Sequence, residues 1–455
     1  MSDDRERLDI SGSPDDATPP PADEVPATGT TAESLVAPKP GEEPKKEATT
    51  LAGRILQNLW TANAVTVTIL AVVLALLIGA VLIAISDPNV RSAYTYLFAQ
   101  PTDAISATWE KVSEAYANLF KGSIVDPAAI QGALNGSLPW ERVFFPISET
   151  LTYAAPLALT GLAFALAFRG GLFNIGVQGQ ATMGAIGAAL AGFLLPLPVG
   201  LHLLVALLAA LVFGGLWGFI PGILKARTGA HEVITTIMLN YVALFFLGWL
   251  IVQRGVQDPD RSDAISKAVD GSARLPRLLE FLGPSLRVSL GIVLAVLVTW
   301  GVAWILRRST FGFELRAVGL NPEASRTAGI SVASTYVLVM TVAGALAGLG
   351  GSMILLGTAL TLTPAVIGSV GFDGLLVGLL GRAKPWGVLV AALLFGALQA
   401  GGNRMQSFSG ISLELVGVIQ ALIVIFVAAP ALVKAVFRLR PARLSGLETG
   451  MSKGW

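Results

Sequence analysis

The chain has 455 residues, of which 53% are hydrophobic and 13% charged, and its mean hydropathy of +0.69 lies well outside the range of soluble domains. The net charge of +1 does not indicate nucleic acid as a partner. Cysteine is absent and the histidines are His202 and His231, so the sequence predicts no disulfide, no metal site and no bound cofactor.

The first 50 residues differ in composition from the rest of the chain. They are rich in Pro, Asp, Glu, Ser and Thr and have no apolar periodicity. Such a segment cannot bury enough surface to offset its ordering entropy, so residues 1–50 are predicted to be a disordered cytoplasmic tail. Residues 51–440 are predicted to form one transmembrane domain, followed by a cytoplasmic tail at residues 441–455.

Uncharged apolar runs begin at residues 64–85, a stretch long enough as a helix to cross a hydrocarbon core of about 30 Å. Similar runs recur along the chain. Together they predict an all-α polytopic membrane protein with about ten segments, the later ones at residues 149–168, 176–195, 201–224, 233–252, 288–306, 332–356, 372–380, 386–402 and 413–429.

Basic residues follow alternate segments, as at Arg169, Lys225, Arg307 and Arg382, which predicts both termini on the cytoplasmic side. The loop at residues 253–287 is also basic although it is predicted to be external, but long loops count less in this rule. The extended first outer loop, residues 86–148, is predicted to contain an amphipathic interfacial helix, with a plain solvated loop as the alternative.

The segment order predicts a 5+5 inverted repeat in which each half carries a glycine-interrupted stretch. These stretches are GGLFNIGVQGQ at residues 170–180 and GSVGFDG at residues 368–374. Broken helices in corresponding positions of two halves are where transporters usually form a solute site.

Carboxylates such as Glu149 and Asp373 fall at predicted segment ends, and charges inside a membrane normally mark ion or proton relays. No predicted span has a charged group at its centre, which argues against an ion-coupled carrier and against a strongly ionised solute. A neutral polar solute is therefore predicted, and amide side chains beside aromatic rings suit a sugar or a nucleoside. The candidate residues of a translocation path are Phe173, Asn174, Gln178, Gln180, Asn240, Phe372, Gln399 and Gln420. Any of these amides can instead hold neighbouring helices together.

The cytoplasmic stretch at residues 307–331 carries the signals of a short helix. Asn321 can cap it, Pro322 fits its first position, and Gly329 can end it after residue 328. A short helix between two spans has no lipid-facing stripe, so docking on a partner is favoured over an ordinary connecting turn.

Four motifs in order carry a family resemblance: RGGLFNIGVQGQATMGA at residues 169–185, KARTGAHEVITTIMLNY at 225–241, FELRAVGLNPEASRTAGI at 313–330 and GFDGLLVGLLGRAKPWG at 371–387. With them, residues 148–431 resemble the permease subunits of bacterial ABC importers for nucleosides and simple sugars, within the branched-chain amino acid and ribose permease group. The resemblance implies a coupling helix that contacts a separate ATPase subunit, with candidate residues Arg316, Asn321, Pro322, Glu323, Arg326 and Gly329.

The same resemblance implies an assembly in a bacterial cell membrane. It would contain a second permease subunit, either a copy or a paralogue, ABC ATPase subunits and an extracytoplasmic solute-binding protein. The chain has no GxxxxGK[ST] motif, so ATP is expected to be used by the partner. An ion-coupled secondary transporter explains inverted halves equally well but lacks central carboxylates, and a membrane scaffold or intramembrane enzyme has no supporting motif.

Overall fold

The computed structural model describes residues 64–438, which form helices joined by turns and one longer outer loop. The predicted tails at residues 1–50 and 441–455 lie outside the described residues. In chain order the helices are α1 (Ala64–Ser86), α2 (Pro88–Thr95), α3 (Pro101–Ser123), α4 (Pro127–Leu134), α5 (Glu141–Arg169), α6 (Val177–Leu194), α7 (Leu201–Thr228), α8 (Glu232–Leu250), α9 (Gly291–Arg308), α10 (Thr310–Leu320), α11 (Pro322–Thr327), α12 (Val332–Ile354), α13 (Val370–Leu380), α14 (Pro385–Ser409), α15 (Leu413–Ala428) and α16 (Pro430–Val436).

Every predicted membrane segment is helical, but the helices differ in their ability to cross a bilayer. Seven are long and apolar enough to cross, and α15 with α16, bent by 93°, can form an eighth span. Neither α6 nor the 11-residue α13 belongs to those seven. The chain is therefore a polytopic helical membrane protein, while ten crossings, the inverted repeat and the side of the termini stay predictions.

The interior of the bundle is formed mainly by α5, α12 and α14, the most buried of the long apolar helices. Their neighbours approach closely because small residues stand at the contacts. A Cβ atom at Gly184 of α6 would overlap the backbone of Gly348 of α12, and one at Gly218 of α7 would overlap the carbonyl of Met340. Lipid tails are as apolar as the helix side chains, so burial of apolar surface does not drive helices together in a membrane. Small residues stabilise the bundle instead by letting the helix backbones pack closely.

The first outer loop folds onto the bundle. Its long helix α3 lies where the amphipathic helix is predicted, but its polar side chains bond to protein. Lys111 Nζ donates to the carbonyl of Ser409 at 2.7 Å, and Asn118 Nδ2 donates to Ser409 Oγ at 2.8 Å. The outer end of α14 is therefore covered by this loop.

Helix α5 begins at Glu141, eight residues before the predicted segment, which places Glu149 inside a helix.

Two stretches of irregular backbone interrupt the bundle, and each overlaps its predicted stretch only in part, because helices already begin at Val177 and Val370. The first lies between α5 and α6, where Gly171 adopts a φ of 76° that suits glycine. The second follows α12, whose final turn Leu355–Ala359 is π-helical, and Leu360 then has a φ of 61°. Irregular backbone within a membrane bundle is tolerated where it is buried in protein or lines a cavity.

Candidate functional site

Amide side chains stabilise the first break. Asn174, which is fully buried, accepts a hydrogen bond from the backbone N–H of Gly176 at 3.0 Å and donates to Gln180 Oε1 at 3.0 Å. Asn240 of α8 accepts from the N–H of Gly179 at 2.8 Å and donates to the carbonyl of Ile175 at 3.0 Å. These bonds replace helical ones that the broken backbone cannot make.

Gln178 joins the first break to the second. Its Nε2 donates to the carbonyl of Gly368 at 2.7 Å, and its Oε1 accepts from the N–H of Gly371 at 2.8 Å. Thr160 of α5 supports the same region, since its hydroxyl lies 3.2 Å from the carbonyl of Val370. One amide thus bridges two irregular segments almost two hundred residues apart in sequence.

The candidate path residues therefore differ in their surroundings. Asn174, Gln180 and Asn240 are buried with protein partners. Phe173 packs against Phe164, with ring centroids 5.3 Å apart, and Phe372 is exposed on α13. Gln399 and Gln420 instead line an internal cavity.

This central cavity has a volume of about 280 Å³, close to the lower end of ligand pockets, which is about 300 Å³. It lies between α5, the second break and helices α13, α14 and α15. The polar residues that line it are Thr152, Tyr153, Arg287, Thr358, Ser369, Asp373, Gln399 and Gln420, and Phe395 adds a ring. Residues from the second break and from α5, α13, α14 and α15 thus meet in one chamber, and the first break does not line it.

Asp373 is a lining residue that the sequence reading placed only at a segment end. It lies in the first turn of α13, whose start packs inside the bundle against Gln178 and Thr160. Ser369 Oγ donates to Asp373 Oδ2 at 2.7 Å. The expectation that Asp373 lies at a segment end thus agrees with its place in the first turn of α13, and this end of the helix packs within the protein. The short length of the run 372–380 was the available signal.

A second cavity of about 620 Å³ lies on the outer side and is lined by residues of α4, α5 and α14. Tyr153 and Arg287 line both cavities, so these two side chains stand between them. Arg287 Nε donates to Glu149 Oε1 at 2.8 Å, and its second nitrogen contacts Glu149 Oε2. Asn403 Nδ2 donates to the Tyr153 hydroxyl at 2.9 Å. We call this outer cavity the vestibule.

The pairing has a clear electrostatic consequence in the outer loop. The hydrogen bond and charge of Glu149 raise the pKa of Arg287 although its partial burial opposes this. Arg287 therefore stays charged, and its guanidinium is engaged by a carboxylate rather than free to bind a solute. Sequence reasoning missed this pair because its partners lie 138 positions apart.

The predicted short helix is observed as α11, and its cytoplasmic position stays a prediction. Asn321 Oδ1 accepts from the N–H of Ala324 at 3.0 Å, Pro322 occupies the first turn, and Gly329 has a φ of 82°. Glu323 and Arg326 form an exposed ion pair at 2.7 Å. Arg316 lies on α10, where its Nε donates to the carbonyl of Gly312 at 3.0 Å.

The segment before α11 is fastened to the bundle. Gly319 of α10 packs so closely on the backbone of Arg169, at the end of α5, that a Cβ atom there would overlap it. Arg169 Nε in turn donates to the carbonyl of Ala383 at 2.5 Å, directly after α13. The end of α10 thus contacts the end of α5, and Arg169 connects that end to the turn after α13.

Within residues 64–438 no group of three His, Asp or Glu side chains is arranged to hold a metal ion. The candidate site therefore consists of the central cavity with several polar side chains in its wall, the vestibule, and the short helix α11.

Comparison with known proteins assigns the chain to a family. Residues 147–428 match the protein family described as branched-chain amino acid transport system / permease component. The guanosine ABC transporter permease protein NupP of Bacillus subtilis (strain 168) is 43% identical over 294 residues, which cover 64% of this chain and 84% of that protein.

Two further relatives are similar over the same extent. The nucleoside ABC transporter permease protein NupB of Lactococcus lactis subsp. cremoris (strain MG1363) is 40% identical, across 63% of this chain and 80% of its own length. The glucose ABC transporter permease protein TsgB13 of Haloferax volcanii is 34% identical, across 62% and 76%. No solved structure gives a significant match.

Proposed function

The chain belongs to the family of permease components of the branched-chain amino acid transport system, and we propose that it is the membrane-spanning subunit of an ATP-driven importer for nucleosides. The observation that carries this proposal is the likeness to permeases named for guanosine and for nucleosides at 43% and 40% identity. The likeness to a permease named for glucose keeps a simple sugar as the second candidate.

The solute enters at the vestibule, passes Tyr153 and the Arg287–Glu149 pair, and reaches the central cavity. Gln399 and Gln420 contact it there. Phe173, Asn174, Gln178, Gln180, Asn240 and Phe372 belong to the broken segments and their supports, which border the path. The hydrogen bonds of Gln178 to Gly368 and Gly371 support this assignment, since they join the start of α6 to the second break beside the chamber.

The stretch around α11 docks on an ATPase subunit, which uses the ATP. Arg316, Asn321, Pro322, Glu323, Arg326 and Gly329 form or shape the docking surface. The exposed Glu323–Arg326 pair and the fastening of Gly319 to Arg169 support this role, because they combine a free polar surface with a mechanical connection to the bundle.

The complete importer contains a second permease subunit, a copy or a paralogue, and an extracytoplasmic solute-binding protein, in a bacterial plasma membrane. This chain crosses that membrane ten times when α6, α13 and the bent α15–α16 pair are each counted, with inverted halves and both termini inside.

Transport by the reconstituted assembly tests the function. Proteoliposomes with this chain, its second permease, the partner ATPase and the solute-binding protein are expected to accumulate radiolabelled guanosine only when ATP is present. The matched control omits the ATPase subunit and should leave uptake at background. Free sugar competing as well as unlabelled guanosine would favour the second candidate.

Ionophores separate this mechanism from an ion-coupled carrier. With ATP held constant, collapsing the proton and sodium gradients should leave guanosine uptake unchanged, because the ATPase supplies the energy. Uptake by this chain alone, driven by an ion gradient, would refute the proposal.

A further inference from the structure

The central cavity contains polar groups without protein partners. The side-chain amides of Gln399 and Gln420 make no hydrogen bond to any other described residue, and Gln420 is only 7% exposed. Neither amide is among the buried side-chain groups that lack a partner, so both amides are open to the cavity and free to bond a molecule that occupies it.

Asp373 adds an acceptor to these amides. Its Oδ2 receives the Ser369 hydroxyl at 2.7 Å, whereas no described donor contacts Oδ1. The other charged residue that lines the cavity, Arg287, is engaged by Glu149. The carboxylate is therefore oriented by Ser369 and lacks a cationic partner within hydrogen-bonding distance.

Three helices thus present one carboxylate and two amides to a single chamber, together with the rings of Phe395 and Tyr153. A carboxylate accepts from two adjacent donors, and an amide both donates and accepts. Proteins read an extruded base by hydrogen bonds along its pairing edge and by contact with rings. Guanine carries adjacent N1–H and 2-amino donors on that edge, whereas adenine carries an acceptor beside its amino group.

We infer that Asp373, oriented by Ser369, is a specificity-determining residue of the permease that accepts the adjacent N–H donors of a guanine-type nucleoside, while Gln399 and Gln420 bind its remaining polar groups. This inference rests on the proposed function. It places base selection in the membrane subunit itself, in addition to any selection by the solute-binding protein.

The substitution Asp373→Asn tests the role of the carboxylate, because it keeps the size of the side chain and replaces one acceptor by a donor. The complete transporter is assayed with labelled guanosine, inosine and adenosine, and maximal rate over KM is measured for each. The guanosine-to-adenosine ratio is expected to fall at least about tenfold, since one good bidentate pair discriminates between bases by roughly that factor. The binding protein is unchanged, so its selectivity cancels between variants.

Inosine lacks the 2-amino group, so in Asp373→Asn its preference over adenosine should fall by a smaller factor.

Ser369→Ala should lower the guanosine-to-adenosine ratio less than Asp373→Asn, because it only frees the carboxylate to rotate. If Asp373→Asn does not reach the membrane, the ratio measured for Ser369→Ala tests the role of the Asp373 carboxylate in its place. Asp263→Asn, an exposed substitution in the outer loop, should leave the ratio unchanged.

The amides have a matched control on one helix. Gln399→Ala should raise KM for all three nucleosides with little change in the ratio, whereas Gln406→Ala, exposed on the same helix and away from the cavity, should have no effect.

An unchanged ratio in Asp373→Asn and Ser369→Ala, with uptake intact, would refute the assignment of Asp373 and leave the importer function standing. A wild-type transporter that carries no nucleoside would instead remove the proposed function and this site with it.

Discussion

Individual amides in this protein do different work although they look alike in sequence. The side chains of Asn240 and Asn174 form hydrogen bonds with backbone groups at the first break, so these amides have partners within the protein. Gln399 and Gln420 face a cavity and have no described partner. All four side chains carry an amide in apolar surroundings, so only their position in the bundle separates a supporting role from the proposed solute contact.

At this scale we predict that Asn240→Leu destabilises the fold. The substitution leaves the N–H of Gly179 and the carbonyl of Ile175 without partners in a buried position, which costs about 1–3 kcal/mol for each unsatisfied group. The detergent-solubilised protein should lose its folded state at a temperature several degrees lower, measured by loss of the monodisperse chromatographic peak after heating.

Asn135→Leu is the matched control for that experiment. Asn135 is exposed at the end of α4, and its side chain makes no hydrogen bond to another described residue, so the same change of residue should leave stability near that of the wild type. Equal stability of Asn240→Leu and the wild type would contradict the supporting role.

Among the elements, the short helix α11 is determined by its own sequence and is also held in place by contacts of the preceding helix α10. Its cap and first proline define a six-residue helix, and α10 fastens it to the end of α5. The ion pair at its surface contributes little to stability, because exposed pairs are worth about 0–1 kcal/mol. Its charges are therefore available for recognition of a partner.

We predict that Arg326→Glu lowers ATP-dependent uptake at least about tenfold without lowering the amount of inserted protein. The change places a second acid beside Glu323 on the proposed docking surface, and like charges across an interface oppose association. Co-purification of the ATPase subunit and nucleoside uptake are the measurements.

Arg261→Glu provides the control, since Arg261 forms a comparably exposed pair with Asp263 at 2.9 Å in the outer loop. Its uptake should stay near that of the wild type. Normal transport by Arg326→Glu would remove α11 from the coupling interface.

Across the whole molecule, the membrane topology remains to be tested by experiment. The chain contains no cysteine, so single cysteines report their own side of the membrane without interference. Val199 and Leu320 are 84% and 86% exposed, and they lie on opposite predicted sides.

We expect a membrane-impermeant maleimide to label Val199→Cys in intact cells and Leu320→Cys only after permeabilisation. Each variant serves as the control of the other, because both sites are equally accessible in the folded protein. Labelling of Leu320→Cys in intact cells would invert the proposed orientation and place α11 on the wrong side for an ATPase.

The chemistry of the candidate site was only partly predictable. Gln399 and Gln420 were named from residue type alone and line the cavity, whereas Asp373 was read as the end of a segment. That reading agrees with its place in the first turn of α13, but the length of an apolar run does not show that this turn borders a cavity. Glu149 starts an apolar run, whereas helix α5 begins eight residues earlier, at Glu141.

The sequence alone determined the local features: apolar runs that become helices, glycine-rich stretches that interrupt them, and the Asn321–Pro322 start of α11. These depend on neighbouring residues, through hydrophobic length, backbone freedom and capping. Only the tertiary structure decided that Gln178 bridges both breaks, that Arg287 pairs with Glu149, and that Asp373 shares a chamber with Gln399 and Gln420. Such contacts join residues far apart in the chain, and their distances are set by how whole helices pack.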